Sequence, residues 1–240
     1  MSQPPEKWGL TIEAAKALLS AAPAQSPVAL IRFADKVLPV AGLGARREVI
    51  TEELNRLRNR RELKGRTALR DAIWEALSML NPSQPGDAIV AVTDGGDNRS
   101  RRKDKELEQV LAAKGVRLYA FLLLSRAVTP EELTGPSGLV NIAVHSGGYT
   151  AAKHSRGGPG YDQFDASAPA LEKLRDAAQF ISWPMSNYFV LDLRLPQELK
   201  KPKKWKLALV KDAQLKNIKL SYPQWLMPCT SGKRSSPNAP

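Results

Sequence analysis

Cysteine occurs once in 240 residues, at Cys229, and histidine twice, at His145 and His154. One thiol builds neither a disulfide framework nor a cysteine-cluster metal site, and it says little about compartment. The two histidines have no helical i, i+4 spacing and no carboxylate pair nearby, so they read as surface residues. Long apolar runs are also missing. No stretch approaches the roughly 18 to 20 apolar residues that span a bilayer, and the opening MSQPPEKWGL has no apolar core of the signal-peptide type. As written, the chain is expected to stay where it is made. No G-x-S-x-G elbow, Walker loop or H-E-x-x-H run occurs, which removes the usual catalytic constellations. Gly42-Leu43-Gly44 precedes a helix, but Arg47 stands where a dinucleotide fingerprint needs its third glycine, so a plain strand-to-helix turn is the better reading.

Acidic residues are in deficit, 24 against 36 basic, for a net charge of +12. A basic surface binds phosphate through counterion release, so the location of the charge decides its meaning. Eight of the basic residues are lysines between Lys200 and Lys219, and Arg99, Arg101, Arg102, Lys103 and Lys105 form the other dense group. The candidates for polyanion binding are Arg99, Arg101, Arg102, Lys200, Lys201, Lys203 and Lys204. Trp205 and Trp225 offer stacking surfaces beside the lysines. The blander reading is a solvated turn broken by Pro202, with tryptophans that finish a core and lysines that solubilise an edge.

What is present is a core. The hydrophobic content of 42% suffices for one domain of ordinary size, or one domain with an appendage. Apolar residues spaced by three and four predict helices over 6–22, where Lys7, Glu13 and Lys16 fall off the apolar stripe, then over 45–61 and 68–80. Buried strands are expected at 27–33 and 87–94, with a short return strand at 37–40 after an Asp35-Lys36 turn. A polar helix near 103–114 leads to another buried strand at 116–124, and a helix is plausible over 130–145. Residues 146–167 read as a long glycine-rich loop, and 168–183 as helix. Three β-like runs follow, at 186–195, 205–210 and 217–222, before a disordered tail at 229–240.

Strands alternating with helices over the first 125 residues imply βαβ crossovers and a mostly parallel sheet. Ligands on such sheets bind outside the carboxyl ends of the strands. DAIVAVTD at 87–94 is almost wholly apolar, as a strand covered on both faces should be, and it delivers Asp94 to that edge. Thr67, in the loop entering the next helix upstream, is expected to face the same crevice. Taken alone, Thr67 also suits a helix N-cap and Asp94 an Asp-Gly turn. Asp97 reads as a turn or cap residue.

GRTALRDAIWEAL from Gly65 and AIVAVTDGGDN to Asn98, with VALIRFADKV at 28–37 and GVRLYAFLLL at 115–124, resemble in the correct order the motifs of a von Willebrand factor A domain. SNYFVLDLRL and the basic end of the chain resemble bacterial exported relatives of that family. The resemblance implies a Rossmann-like three-layer α/β/α domain over 1–146, with a glycine-rich loop at 147–167. A helix and β-strands over 168–228 would complete the domain or extend it. It also implies a metal-ion-dependent adhesion site, in which Thr67 and Asp94 occupy two ligand positions for Mg2+ or Mn2+ and a partner protein's carboxylate completes the shell. The Asp-x-Ser-x-Ser run that supplies the other ligands is absent, because Met1 falls where the family's sequence is leaving it. The expectation is therefore an incomplete site with weak or no metal binding, on a domain lacking its first, central strand. If the start is internal, the natural protein is secreted or periplasmic. Arg66 stands where the family usually has glycine, and its guanidinium would oppose a divalent cation. Non-enzymatic protein adhesion is the leading reading and polyanion or nucleic-acid binding the alternative.

Overall fold

The structure is a computed structural model that describes residues 5–59, 66–124, 130–154, 165–195, 197–209 and 220–228. Its elements are α1 (Pro5–Ala21), β1 (Leu30–Phe33), β2 (Val37–Ala41), α2 (Arg47–Asn59), α3 (Leu69–Met79), β3 (Ala88–Thr93) and α4 (Asp104–Lys114). They continue with β4 (Arg117–Leu124), α5 (Pro130–His145), β5 (Thr150–His154), α6 (Ala168–Ser186), β6 (Lys203–Lys204) and β7 (Trp225–Leu226). Most helix and strand ends fall within one to three residues of those expected from periodicity.

The main sheet is parallel and ordered β3-β4-β5, with Ala88 opposite Arg117 and Ala120 opposite Thr150. RLYAFLLL in β4 is buried on both faces, as a central parallel strand should be. Alternate residues feed two cores. Leu118, Ala120 and Leu122 join Ile89 and Ala91 beneath α3, α4 and α5, while Tyr119, Phe121 and Leu123 meet α1 and α6 on the other face. This is the three-layer α/β/α arrangement anticipated from the alternation of elements. A third cluster joins α1 to α2 through Ile12, Ile50, Leu54 and Leu57.

β1 and β2 form an antiparallel hairpin that is not hydrogen-bonded to the main sheet. Between β1 and β3 lies a cavity of about 1480 Å³, walled by α1 and α3. The Ala34 carbonyl accepts from Ala68 N (2.7 Å), and the neighbouring Thr67 carbonyl accepts from Asn98 N and Arg99 N just beyond β3. The carboxyl ends of β1 and β3 therefore share one edge, and the two strands run parallel across the gap.

Several expectations need correction. The segment 146–167 is not all loop, because residues 150–154 pair with β4 as an edge strand. A glycine allows the docking: a Cβ on Gly148 would sit 1.9 Å from the Leu118 carbonyl oxygen. Residues 155–164 of that segment lie outside the described residues. The helix expected to stop at 183 continues to Ser186, and 187–195 is neither helix nor strand. No strand forms over 205–209 or 220–222, and position 210, the start of the third run at 217–219, and the tail at 229–240 lie outside the described residues. Instead, β6 and β7 make a two-residue antiparallel pair. This arm is stapled where α5 ends: Gln224 N donates to His145 O (2.9 Å), Ser221 Oγ to Gly147 O (2.8 Å), and Ser146 bridges Pro223.

Candidate functional site

The carboxyl edge is assembled by hydrogen bonds between the loop after β3 and the start of α3. Asp97 is 3% exposed and accepts from Arg70 N (2.8 Å), Ser100 N (3.0 Å) and Ser100 Oγ (2.7 Å). Ser100 Oγ in turn accepts from Asp71 N (3.1 Å), and the Asp71 carboxylate accepts from Arg101 N and Arg102 N. The first amides of α3 are thus capped from across the loop, which places Asp97 in the capping role read from its sequence. Thr67 does not take that role. The N-cap position is Ala68 and has no side-chain cap bond. Thr67 N instead donates to Asn98 Oδ1 (2.9 Å), which ties it to the chain leaving β3.

Asp94 lies one residue past β3, where Gly95 (φ 86°) turns the chain sharply. Its Oδ1 accepts from Gly96 N (3.2 Å), and its Oδ2 is 2.7 Å from Lys7 Nζ. Lys7 is almost fully buried, its side chain 4% exposed against 20% for Asp94. Thr67 and Asp94 line the same cavity, together with Lys7, Arg32 and Arg66. The two residues singled out by sequence therefore do share a crevice.

Lys7 was missed, and corrects the reading that placed it off the apolar stripe of the first helix. It precedes Leu10, Ala14 and Leu18 by three, seven and eleven residues, all buried. That spacing is the helical signal by which it was legible. α1 thereby carries an ammonium to the carboxylate at the end of β3.

The residues present do not fit a divalent cation. Magnesium and manganese call for a near-octahedral shell of oxygens, whereas Thr67 and Asp94 supply two side-chain groups, and the carboxylate is already engaged by an ammonium and a backbone amide. Among the described residues no group of three His, Cys, Asp or Glu could hold a metal.

The basic candidates divide between opposite edges. Arg99 and Arg101 are exposed beside the carboxyl edge. Arg102 is engaged, with its guanidinium 3.7 Å over the Trp74 ring and 2.6 Å from Glu106 Oε1. That hydrogen bond from Arg102 is the largest influence holding the Glu106 carboxyl below its usual range. Burial opposes the charge on Arg70, but ion pairs with Asp104 and Asp97 outweigh it and raise its pKa. Lys200, Lys201, Lys203 and Lys204 are exposed on the arm anchored at the amino edge of the sheet. Lys204 Nζ lies 5.2 Å above the Trp225 ring, and Trp205 packs edge-on against Tyr222 while donating to Pro223 O. The structure does not bring the two basic groups together.

Residues 1–96 match the profile of the von Willebrand factor type A domain. Among solved structures, proximal thread matrix protein 1 from the mussel byssus is 19% identical with a TM-score of 0.53, over 74% of this chain and 42% of that one. A von Willebrand factor type A protein from Catenulispora acidiphila is 15% identical with a TM-score of 0.50, over 73% and 38%. BatB from Bacteroides thetaiotaomicron is 15% identical with a TM-score of 0.51, over 73% and 88%. This chain thus spans about four-tenths of the length of the first two. No curated protein matches the chain.

Proposed function

Because the chain carries a von Willebrand factor type A domain, we propose that it is a non-enzymatic protein-interaction module of the adhesion type. Its contact surface is the carboxyl edge around Thr67 and Asp94, and its partner is a protein presenting a carboxylate. The observation that carries this reading is the Lys7–Asp94 pair at 2.7 Å. The fold's cation position is served here by an ammonium that belongs to the chain. Arg66 is exposed on the same cavity rim and adds a second cation. Arg66 and the Thr67 hydroxyl, beside the Lys7–Asp94 pair, form a receptor for an acidic side chain that needs no metal.

The test is selection of displayed peptides on the immobilised full chain, with EDTA or with Mg2+. Enrichment of Asp or Glu at a fixed position, undiminished by EDTA and abolished by Arg66→Ala, supports the proposal. Binding that requires Mg2+, or a titration giving micromolar Mg2+ affinity, overturns it.

Polyanion binding is the second reading, favoured by five exposed lysines among the described residues of one short arm, Lys200, Lys201, Lys203, Lys204 and Lys206. It predicts retention on heparin that falls steeply with salt and survives Thr67→Ala and Asp94→Ala.

A further inference from the structure

Among the described residues, β3 is hydrogen-bonded only to β4, and β1 only to β2. The free edges of both strands face the cavity between them, and among the described residues no strand lies there. Buried backbone N–H and C=O groups without partners are costly. A slot of this kind, between two parallel edges and roofed on both faces by helices, is shaped for one more strand.

The chain delivers a candidate to its floor. Arg117, the first residue of β4, donates to Pro184 O (2.7 Å), Met185 O (3.3 Å) and Gly86 O (3.2 Å), holding the end of α6 against the amino end of β3. Its guanidinium also lies 4.8 Å from the Tyr188 ring, and the Tyr188 hydroxyl donates to Pro85 O (3.0 Å). Tyr188 sits so closely on Gly86 that a Cβ there would lie 2.4 Å from its hydroxyl oxygen. From this anchor Phe189-Val190-Leu191-Asp192-Leu193-Arg194-Leu195 runs outward with every side chain exposed, Phe189 at 95%. Seven extended residues span about 23 Å at ~3.3 Å each, enough to line the whole of β3.

We propose that the cavity is a strand-acceptor site and that residues 189–195 of the same chain are its occupant. Inserted between β1 and β3, they would join hairpin and main sheet into one continuous sheet. Three relationships select this segment. It starts at the amino end of β3, so it enters running parallel to β3 and β1. With Tyr188 level with Gly86, Leu191 falls level with Ile89, Leu193 with Ala91, and Arg194 with Val92. The two faces then match their walls. Ile89 and Ala91 belong to the core beneath α3, so Phe189, Leu191 and Leu193 face Leu69, Ala72, Ile73 and Ala76. Val190, Asp192 and Arg194 face α1, whose lining passes from Leu18 and Ala15 at the floor to Thr11 and Lys7 at the rim. Arg194, level with Val92, is two residues short of Asp94 and reaches toward its carboxylate at the rim. The occupied slot is a second state of the domain, and the assignment does not depend on the adhesion reading.

The test is disulfide trapping in the full chain carrying Cys229→Ser. Neighbouring strands bring level side chains within disulfide reach, with Cα atoms 4.4–6.8 Å apart in general. Under mild oxidation the pair Ile89→Cys and Leu191→Cys should give an intrachain crosslink. Ile89→Cys with Asp192→Cys, pointing to opposite faces, should give at least tenfold less. No crosslink, equal crosslinking of both pairs, or a crosslink between chains overturns the proposal, the last by showing that a second copy supplies the strand. Hydrogen exchange on the unsubstituted chain guards against misfolding of the variants. Amides of 190–194 should exchange at least tenfold more slowly than those of 197–200, and equal rates count against insertion.

Discussion

Lys7 Nζ and Asp94 Oδ2 lie 2.7 Å apart across 87 residues of chain, with the lysine side chain almost wholly buried. The contact fixes α1 to the carboxyl end of β3. Removing either partner strands a desolvated charge, which in buried pairs is strongly destabilising. Lys7→Met and Asp94→Asn should each cost about 2–3 kcal/mol, somewhat less than a fully buried pair because Asp94 keeps some solvent contact. The double variant should recover about 1 kcal/mol or more of the summed loss. Urea unfolding of all four proteins completes the cycle, and strict additivity would show that the pair is not coupled.

Asp97 caps a helix to which it does not belong, accepting from the Arg70 and Ser100 amides and pairing with the Arg70 side chain (3.3 Å). Asp97→Ala should cost about 2 kcal/mol, the upper range for loss of a cap. Arg70→Ala removes only side-chain bonds and should cost less. Thermal melts of the two variants give the order, and the reverse order would contradict the capping role.

Tyr119 and Tyr149 stack edge to face, with ring centroids 5.3 Å apart. Burial raises both phenols above their ordinary pKa. A raised folded pKa means stability that is present in full below the unfolded value of about 10 and lost as the pH climbs through the folded one. Stability should therefore fall between about pH 10 and pH 12, and ultraviolet titration should show Tyr119 and Tyr149 ionising only as the protein unfolds. The Tyr119 hydroxyl is buried without a hydrogen-bond partner. Tyr119→Phe should accordingly be neutral or stabilising by about 1 kcal/mol, whereas Tyr149→Phe loses a bond to Phe180 O. Urea midpoints at pH 8 distinguish the two.

Gly148 lets β5 dock by running close to the Leu118 carbonyl. Gly148→Ala should cost about 3 kcal/mol, since the obstructing atom is backbone and overpacking of this kind is expensive. Gly42→Ala, whose added Cβ meets nothing within 4 Å, is the control and should change little. Equal effects in a denaturant series would mean that the close approach is unimportant.

The alternation of elements was legible because both periods are strong here. α3 buries Leu69, Ile73 and Leu77, and β4 is apolar throughout. The placement of Thr67 and Asp94 followed from strand direction alone. Lys7 was overlooked although the i+3, i+7 and i+11 spacing to Leu10, Ala14 and Leu18 carried the signal, because a lysine on a helix is read as solvated unless its stripe is followed residue by residue. β5 escaped notice because TAAKH carries little apolar signal, and its strand character comes from the glycine that admits it to β4. Residues 187–195 look like a strand by composition, but a strand needs an edge as well as a propensity, and in this state they lie outside the slot.

The sheet's two sides meet the solvent on unequal terms. At its outer side β5 carries Lys153 and His154, and Lys153 Nζ donates to Asp165 O (2.8 Å) and Ala170 O, tying the strand to the start of α6 and the chain just ahead of it. Charge and cover of that sort keep edges from recruiting one another. The β3 edge has no such guard among its own residues, Ala88 to Thr93. In concentrated solution, sheet-to-sheet aggregation should therefore begin at the open slot rather than at the rim, and an added peptide that fills the slot should delay it.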